Sequence, residues 1–460
     1  MSSTVVSPFT MHRARLQEDL LAHYDELIAR TSWQREQIRR HQRERLRVLL
    51  RHAATHSAFH AERLHGIDLD AISPDDLSGL PVMTKADLMA HFDEVVTDDR
   101  ITLERAEAAL ADVDEEPATL LDSVMVLATG GSSGPRGVFV LDPTAGCQFL
   151  GSLSRALVAR IRAMGGPPPG GLPLAMVAAR SPVHATAAAI AATANGGLPF
   201  HFESAPVTLP VPEMVERLNR FQPAVLYGYP TALAQLAAEQ TAGRLRIRPM
   251  SVTSTSETCT PALRAAIRAG FPVPLVDTFG TTEGLVGSTP PDDDVFVFAE
   301  DGCIVELVDA DDRPVPPGTP SDAVLVTVLE NRLQPLIRYR LTDTFVEQPR
   351  TAAHGYLRAR VEGRSDDVLR FGAVSVHPLV IRSVLVHAPE VADYRVQQTP
   401  HGIAVEVLAP HGTDRAALRA GLAAALAGAG MDAPEVSVEV VAALPRDRDS
   451  GKLRRFVPLG

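Results

Sequence analysis

The chain has 460 residues, of which 45% are apolar and 22% are charged. This mixture is typical of a globular protein and excludes a mostly disordered chain, and at roughly 150 residues per domain the length predicts two to four domains or subdomains. Lys and Arg together number 44 and Asp and Glu 56, so the formal net charge is −12. An acidic surface argues against nucleic acid or an anionic membrane as the main partner.

Cysteines and leader-like segments bear on the compartment. Cys147, Cys259 and Cys303 lie far apart in the sequence, which indicates neither a disulfide framework nor a CxxC metal site and favours a reducing compartment. The N-terminal residues lack a basic region followed by an apolar stretch, and no segment approaches the ~20 apolar residues that cross a bilayer. We therefore expect a cytoplasmic protein without a membrane partner; the oligomeric state stays open, a homodimer included.

The first predicted elements are helices. Residues 11–65 contain neither Gly nor Pro, and Leu46 and Leu50 mark an apolar stripe with helical period. Residues 73–76 (SPDD) predict the start of another helix, with acidic side chains in its first turn. Residues 84–87 (TKAD) have the form of a capping box.

The middle of the chain alternates short apolar runs with Ala- and Leu-rich stretches, which predicts an α/β architecture. Strands are expected at 124–127, 138–141 and 224–227, the last of them followed by a helix at 231–240. Residues 274–277 are expected to lead into a loop.

Two further units are predicted toward the C-terminus. Between about 295 and 360, short strands with acidic turns indicate a β-rich subdomain. Strands at 403–407 and 436–440 bracket an amphipathic helix. We therefore divide the chain into an N-terminal core of residues 1–363 and a small α+β domain of residues 364–460.

A Gly/Ser-rich run at 128–137 (ATGGSSGPRG) is the most informative segment. Its glycines let backbone N–H groups converge, and the hydroxyls of Thr129, Ser132 and Ser133 add donors, which together suit an anion. A flexible surface loop is the commoner origin of such composition, but this run lies between two predicted strands and carries Arg136. It is neither a Walker A loop nor a dinucleotide fingerprint, because no Lys-Ser/Thr and no helix follows.

Four other segments carry polar side chains suited to a nucleotide. In 277–284 (DTFGTTEG), an aromatic ring, hydroxyls and a carboxylate could stack a base, approach a phosphate and hold a divalent cation. In 338–343 (RYRLTD), Asp343 could accept both hydroxyls of a ribose. The remaining two are 363–369 (GRSDDVL) and 450–455 (SGKLRR). Singly, each is as readily a cap, a turn, a linker or a solvated tail.

In this order and spacing, the five segments resemble the signature of the adenylate-forming superfamily, which comprises acyl-CoA synthetases, peptide-synthetase adenylation domains and luciferases. The resemblance is closest to the phenylacetate–CoA ligase family, through an LPxxTKxDL element at 80–88 and a GYPT element at 228–231. It runs from about residue 51 to residue 456. It implies an α/β fold with a large N-terminal adenylate-forming core of mixed sheets and helices and a small mobile C-terminal α+β lid.

The resemblance also implies a role for each nucleotide-site residue. The phosphate loop would cradle the β- and γ-phosphates of ATP through Thr129, Gly130, Gly131, Ser132, Ser133, Gly134 and Arg136. Ser256 and Glu257 would lie along the adenine, and Phe279, followed by Gly280, would pack on its ring.

Further roles follow from the same resemblance. Thr282 would touch the α-phosphate, Glu283 would hold Mg²⁺, Asp343 would bind the ribose and Arg364 would reach the nucleotide. Lys452 would bridge the substrate carboxylate and the α-phosphate. Asp366 would be the hinge of the lid, while His184, His201 and Tyr229 are weak candidates for the substrate pocket.

The implied activity is that of an ATP-dependent, AMP-forming acid–thiol ligase. A carboxylic acid would become an acyl-adenylate with release of pyrophosphate, and CoA would be the acceptor. ATP, Mg²⁺ and CoA are the expected cofactors and co-substrates; no zinc is expected, because residues 284–299 contain neither Cys nor His.

Departures from the family pattern keep alternatives open. Gly130 stands where Ser is common, Pro135 and Arg136 replace Lys-Pro, and Ser256 and Thr258 replace Ala and Pro. The acceptor could instead be a carrier-protein thiol or an amine that gives an amide, or the substrate a non-carboxylate oxyanion activated for nitrogen–nitrogen bond formation. A non-catalytic nucleotide-binding relative is the remaining alternative. The presence of Glu283, Asp343 and Lys452 together argues against it, because a purely structural relative has no need for all three.

Overall fold

The computed structural model describes residues 7–113, 116–129, 136–163, 165–178, 183, 185–194, 198, 200–364, 367–372, 374–376, 378–386, 388, 390–409, 412–446 and 453–459.

The helices are α1 (Pro8–Arg30), α2 (Arg35–His56), α3 (Ala58–Arg63), α4 (Lys85–Ala90), α5 (Phe92–Val95), α6 (Leu103–Ala111), α7 (Pro143–Ala163), α8 (Ala185–Thr193), α9 (Val211–Phe221), α10 (Pro230–Thr241), α11 (Pro261–Gly270), α12 (Pro378–Val386) and α13 (Arg415–Gly428).

The strands are β1 (Thr119–Leu120), β2 (Val124–Ala128), β3 (Val138–Leu141), β4 (Leu172–Val177), β5 (Phe200–Ser204), β6 (Val225–Gly228), β7 (Ser251–Thr255), β8 (Leu275–Gly280), β9 (Val286–Ser288), β10 (Phe296–Phe298), β11 (Cys303–Val308), β12 (Ala323–Val328), β13 (Tyr339–Leu341), β14 (Asp343–Gln348), β15 (Arg358–Arg364), β16 (Leu369–Phe371), β17 (Val374–Val376), β18 (Asp393–Thr399), β19 (Gly402–Leu408), β20 (Glu435–Val440) and β21 (Phe456–Val457).

A nine-stranded sheet with the order β14-β15-β10-β9-β8-β7-β6-β4-β5 forms the centre of the molecule. Its strands β5, β4, β6, β7 and β8 run parallel, and helices connect them, as parallel strands require. At the end of β6, a Cβ on Gly228 would lie 2.5 Å from the backbone oxygen of Val177 on β4. A glycine at this position therefore lets the two strands pair up to their carboxyl ends.

The N-terminal helices pack onto this core through apolar faces. Ser7 caps α1, since its hydroxyl accepts a hydrogen bond from Thr10 N at 3.1 Å. Leu16 and Leu20 of α1 pack in one apolar cluster with Phe149 of α7. The predicted capping box of α4 is confirmed, because Thr84 and Asp87 exchange hydrogen bonds between side chain and backbone.

A buried ion pair fixes α7 to the loop that follows β10. Arg155 donates to both oxygens of Asp301, at 2.6 and 2.8 Å, and both side chains are almost completely buried. Arg30, in the last turn of α1, lies 3.8 Å from the same carboxylate. One buried carboxylate therefore holds together three parts of the chain that are distant in sequence.

The C-terminal residues have a core of their own. Strands β18–β21 form a four-stranded sheet in the order β20-β19-β18-β21, and β16 and β17 form a hairpin. Leu418, Leu422 and Leu426 lie along the buried face of α13, as their spacing predicts. They pack with apolar side chains of β18 and β19 in a cluster formed by residues 369–456 alone.

Three expectations differ from the structure. Residues 73–76 form a turn closed by Asp76 N on Ser73 O at 3.0 Å, and no helix starts there. The loop expected after 274–277 starts later, because residues 275–277 belong to β8, which continues to Gly280. A polar Asp277 is tolerated there because Ser254 donates to its carboxylate at 2.8 Å. Within the region 295–360, only β11–β13 form a separate sheet, since β10, β14 and β15 extend the central one.

None of the helices in the described part of the chain combines the length and the apolar character that crossing a membrane requires.

Replacing Arg155 with Ala should destabilise the protein strongly. The change leaves the Asp301 carboxylate buried without its main cation, a loss of about 3–5 kcal/mol. Urea unfolding followed by circular dichroism measures it. As a control, Arg220→Ala breaks an exposed pair with Glu216 and should change stability by less than about 0.5 kcal/mol. A similar small change for Arg155→Ala would contradict the assigned role.

Candidate functional site

The predicted site residues gather where parallel strands end. Ser256 and Glu257 follow β7, and Phe279 and Gly280 close β8. Carboxyl ends of parallel strands lie along one edge of the sheet, where open α/β sheets bind their ligands. The order of the strands reverses around β4, because β5 lies on one side of it and β6 on the other.

Ser256 turns the backbone sharply after β7. Its φ is 65°, in the left-handed region that favours glycine, and Glu257 N donates to Thr255 O across it at 2.8 Å. A three-residue turn of this hand is rare and strained. It determines where the Glu257 side chain can point.

Glu283 is the central carboxylate of the site. It lies in the turn between β8 and β9, beside Thr282, and is 8% exposed. Burial raises its pKa, and the neighbouring Asp343 carboxylate raises it further, whereas Arg364 and Lys85 lower it. Two carboxylates and two cations are thus close enough to influence each other's charge.

Asp343 and Arg364 are held opposite each other. They are direct cross-strand partners in the antiparallel pair β14–β15, and Arg364 donates to the Thr342 hydroxyl at 2.8 and 3.2 Å. The Tyr339 hydroxyl, whose ionisation is influenced by Glu283, is buried without a hydrogen-bond partner in the described part of the chain. Burial raises the pKa of Tyr339, and Glu283 adds to this effect.

Lys85 is a site residue that the sequence interpretation missed. It is the first residue of α4, and its charge acts on Glu283. A signal was present: of the 44 basic residues only Lys85 and Lys452 are lysines. In a chain whose other basic residues are arginines, the flexible point charge of lysine occurs only at these two motif positions.

Phe279 is supported by other aromatic rings. It makes edge contacts with Phe296, Phe298 and Phe345, with ring centroids 5.4–6.2 Å apart. Such edge-to-face packing is favourable. The ring is only half-buried, so its remaining surface is available to a flat ligand.

Thr129 and Gly137 close the base of the phosphate loop. Thr129 N donates to Gly137 O, and Gly137 N donates to the Thr129 hydroxyl, both at 2.9 Å. Arg136 is exposed beside them. Other predicted site residues lie outside the described residues, namely Gly130, Gly131, Ser132, Ser133, Gly134, His184, Asp366 and Lys452.

The Glu257 side chain contacts the C-terminal part of the chain. Its carboxylate accepts hydrogen bonds from the Thr231 hydroxyl at 2.6 Å, from Arg446 at 2.9 Å and from Leu453 N at 3.0 Å. The sequence motif located Glu257 but gave no sign of these partners.

Two weak pocket candidates do not join this cluster. His201 is exposed on the edge strand β5, opposite Pro173 and near the amino end of the strand. Tyr229 is 1% exposed, caps α10 and packs in the apolar core. The structure instead brings Tyr227, in β6, to the strand ends, where burial raises the pKa of its hydroxyl and the neighbouring Thr255 and Thr278 oppose the shift.

Asp277 is a buried acid between these strands and the core. Burial raises its pKa to about 6, although the hydrogen bond from Ser254 opposes this. The folded protein therefore binds this proton more tightly than the unfolded chain does. The resulting stabilisation is complete below about pH 4 and is lost as the pH rises through 6.

Replacing Asp277 with Asn should remove this pH dependence. The free energy of unfolding of the variant, relative to the parent, should rise by about 2.5 kcal/mol between pH 4 and pH 7.5. Urea unfolding at several pH values measures the difference. The exposed Asp112→Asn serves as control, and its curve should stay parallel to that of the parent. A parallel curve for Asp277→Asn would contradict the raised pKa.

Comparisons with known proteins identify the fold and the family. Solved structures of 2-hydroxyisobutyryl-CoA ligase cover 93% of this chain at 18% identity: the postadenylation state with R3-HIB-AMP, of which 90% is covered, gives a TM-score of 0.69. The thioesterification state with 2-HIB-AMP and CoA, of which 91% is covered, gives 0.56. The mixed α/β fold with its core and C-terminal domain is thereby confirmed.

A curated relative, the phenylacetate-coenzyme A ligase of Aromatoleum evansii, is 26% identical over 215 residues, which is 43% of this chain and 48% of the relative. The match thus spans about half the length of that relative. The family described as AMP-binding enzyme matches residues 39–325, more than half of the chain. The predicted resemblance is therefore confirmed, and the chain belongs to the AMP-binding enzyme family, within the adenylate-forming superfamily.

Proposed function

We propose that the protein is an ATP-dependent, AMP-forming ligase that converts an acid into an acyl-adenylate and then transfers the acyl group to a thiol, with CoA as the first choice. The observation that carries this proposal is the group of Glu283, Asp343, Arg364 and Lys85 beside the half-buried ring of Phe279. Two cations next to two carboxylates suit a polyphosphate with its counter-ion and a ribose.

Each part of ATP has a fitting partner in this group. Phe279 offers a supported ring face for the adenine, and Asp343 offers a carboxylate for the two ribose hydroxyls. Arg364 and Lys85 supply positive charge for the phosphates. Thr282 and the phosphate loop that begins at Thr129 would add donors.

Glu283 fits a ligand of Mg²⁺. Burial and Asp343 raise its pKa, so the ionised side chain lacks compensation that a divalent cation would provide. The described residues contain no group of three or more His, Cys, Asp and Glu that could hold a metal by themselves. This suits Mg²⁺, which commonly binds one or two carboxylates together with substrate phosphates. When bound, the ion would neutralise phosphate charge.

The chemistry explains why a lysine is needed as well. A carboxylate that attacks an α-phosphate brings two anions together, so positive charge must be present where they meet. Lys452 would supply it, and a C-terminal unit that turns near Asp366 would carry Lys452 away for the second step.

A panel of substrates tests the proposal and its alternatives. Pyrophosphate release should be measured with small hydroxylated, aliphatic and aromatic acids and with nitrite, each with CoA, with an amine and without acceptor. Release that depends on an acid, with product formed on CoA, is the expected result. A product with the amine, or release with nitrite alone, would favour an alternative acceptor or substrate. No release at all would favour a non-catalytic nucleotide binder.

Replacing Lys452 with Ala should slow adenylation by roughly 100-fold or more, because a contact to charge that develops in the transition state is lost. Transfer from a supplied acyl-adenylate should survive. Pyrophosphate exchange measures the first half-reaction and thioester formation the second, with Lys452→Arg as the charge-conserving control. Equal loss in both half-reactions would contradict the role.

Replacing Asp343 with Ala should weaken ATP binding while the protein stays folded. A carboxylate that accepts two hydroxyls contributes about 1.5–3 kcal/mol, which corresponds to a loss of roughly 10- to 100-fold in affinity by calorimetry. Glu347→Ala, a change on the same strand, is the control and should bind ATP normally. A variant that melts early yet binds ATP would make Asp343 a structural residue.

A further inference from the structure

One buried carboxylate connects the central sheet with the C-terminal part of the chain. The Glu257 side chain is 1% exposed and follows β7 in the core. Thr231 of α10, also in the core, donates to its Oε2 at 2.6 Å. Arg446 Nη1 and Leu453 N, both from the C-terminal part, reach its Oε1 at 2.9 and 3.0 Å.

The two C-terminal donors meet at the same oxygen atom. The chain is therefore held on Oε1 at residue 446 and again at residue 453, seven positions later. Arg446 also donates to the Thr231 hydroxyl. Lys452 directly precedes Leu453 in the sequence, so one of these two attachment points is adjacent to the proposed catalytic lysine.

Because the Glu257 carboxylate is buried, its hydrogen bonds affect the free energy of each position of the C-terminal part. A carboxylate that is removed from water needs its hydrogen bonds, and the loss of a cationic partner costs far more than the loss of an exposed pair. If the C-terminal part rotated away, Glu257 would lose Arg446 and the Leu453 N–H together. Of these three partners only Thr231, which belongs to the core like Glu257 itself, would stay in place. The contacts therefore favour one position of the C-terminal part.

We propose that Glu257, Thr231 and Arg446 form a latch that holds the C-terminal unit in the position for adenylation and opens before the second half-reaction. These are positioning residues, which act through the segment that carries Lys452. The proposal rests on the proposed function, since it assigns the latched position to the first half-reaction. The attachment of Leu453 N to Glu257 at 3.0 Å, directly after the lysine proposed for adenylation, supports this assignment.

The position of the C-terminal unit can be measured without any activity. Single-molecule energy transfer between dyes at Glu216→Cys and Arg419→Cys, both on exposed surfaces, reports the distance between the two parts in the full-length chain. Cys259 is replaced by Ser to prevent labelling, and Cys147 and Cys303 are buried. We expect one dominant distance in the parent and a shift to a second or broader distribution in Arg446→Ala and Glu257→Gln.

The half-reactions test the assignment to adenylation. Arg446→Ala should lose roughly tenfold or more in the rate of pyrophosphate exchange, as expected for the loss of one partner of a desolvated charge pair. Its ATP affinity and its transfer from supplied acyl-adenylate should stay near the parental values. Arg446→Lys should restore part of the exchange rate, which a purely structural role would not require.

The matched control is Arg395→Ala, which breaks a pair with Glu406 inside the C-terminal sheet and should leave distances and rates unchanged. An unchanged distance distribution in both latch variants would overturn the latch. A shifted distribution with an unaltered ratio of the two half-reaction rates would overturn its assignment to adenylation. If the parent activates no acid, the proposed function fails, while the distance measurement still decides whether the latch exists.

Discussion

The buried pair of Arg155 and Asp301 is the interaction on which the arrangement of the core depends. Helix α7 carries Arg155, the loop after β10 carries Asp301, and α1 adds Arg30 at the edge of the pair. The preceding residue, Glu300, accepts from Leu357 N at 2.5 Å and pairs with Arg35 of α2. These carboxylates need several cations and N–H groups at once, so the N-terminal helices, α7 and the β-strands can be assembled in only one relative position.

The candidate site contains the opposite arrangement, buried polar groups that the protein alone does not fully satisfy. Burial and the nearby Asp343 carboxylate raise the cost of the charge on Glu283, and the Tyr339 hydroxyl has no hydrogen-bond partner among the described residues. Such groups reduce the stability of the folded chain. Under the proposed function, a bound nucleotide with its cation would relieve the same groups, and its binding energy would offset the cost at this site.

The local chemistry of the sequence predicted much of the fold. The apolar run 124–127, the Thr84 capping box and the leucine stripe of α13 appear where their patterns indicate, because each depends on neighbours within one element. Predictions that depend on distant partners did less well. The loop expected directly after 274–277 begins only beyond Gly280, because β8 continues past Asp277. Ser254 on a neighbouring strand makes this buried acid acceptable. Motif spacing selected Glu283 and Asp343 as candidates, and the structure places their charges close to each other. The spacing could not show that the charge of Lys85 acts on Glu283 or that Arg446 and Leu453 bind Glu257.

The scarcity of lysine has a chemical consequence. Apart from Lys85 and Lys452, every basic side chain among the 44 is a guanidinium, which stays protonated at any pH at which proteins are handled. Reagents that acylate amines therefore find only two side chains, one next to Glu283 and one in the segment held by Glu257. Mass spectrometry of a briefly acylated sample would read out the accessibility of the nucleotide region and of the C-terminal segment separately, without the background of surface lysines that obscures such footprints in most enzymes.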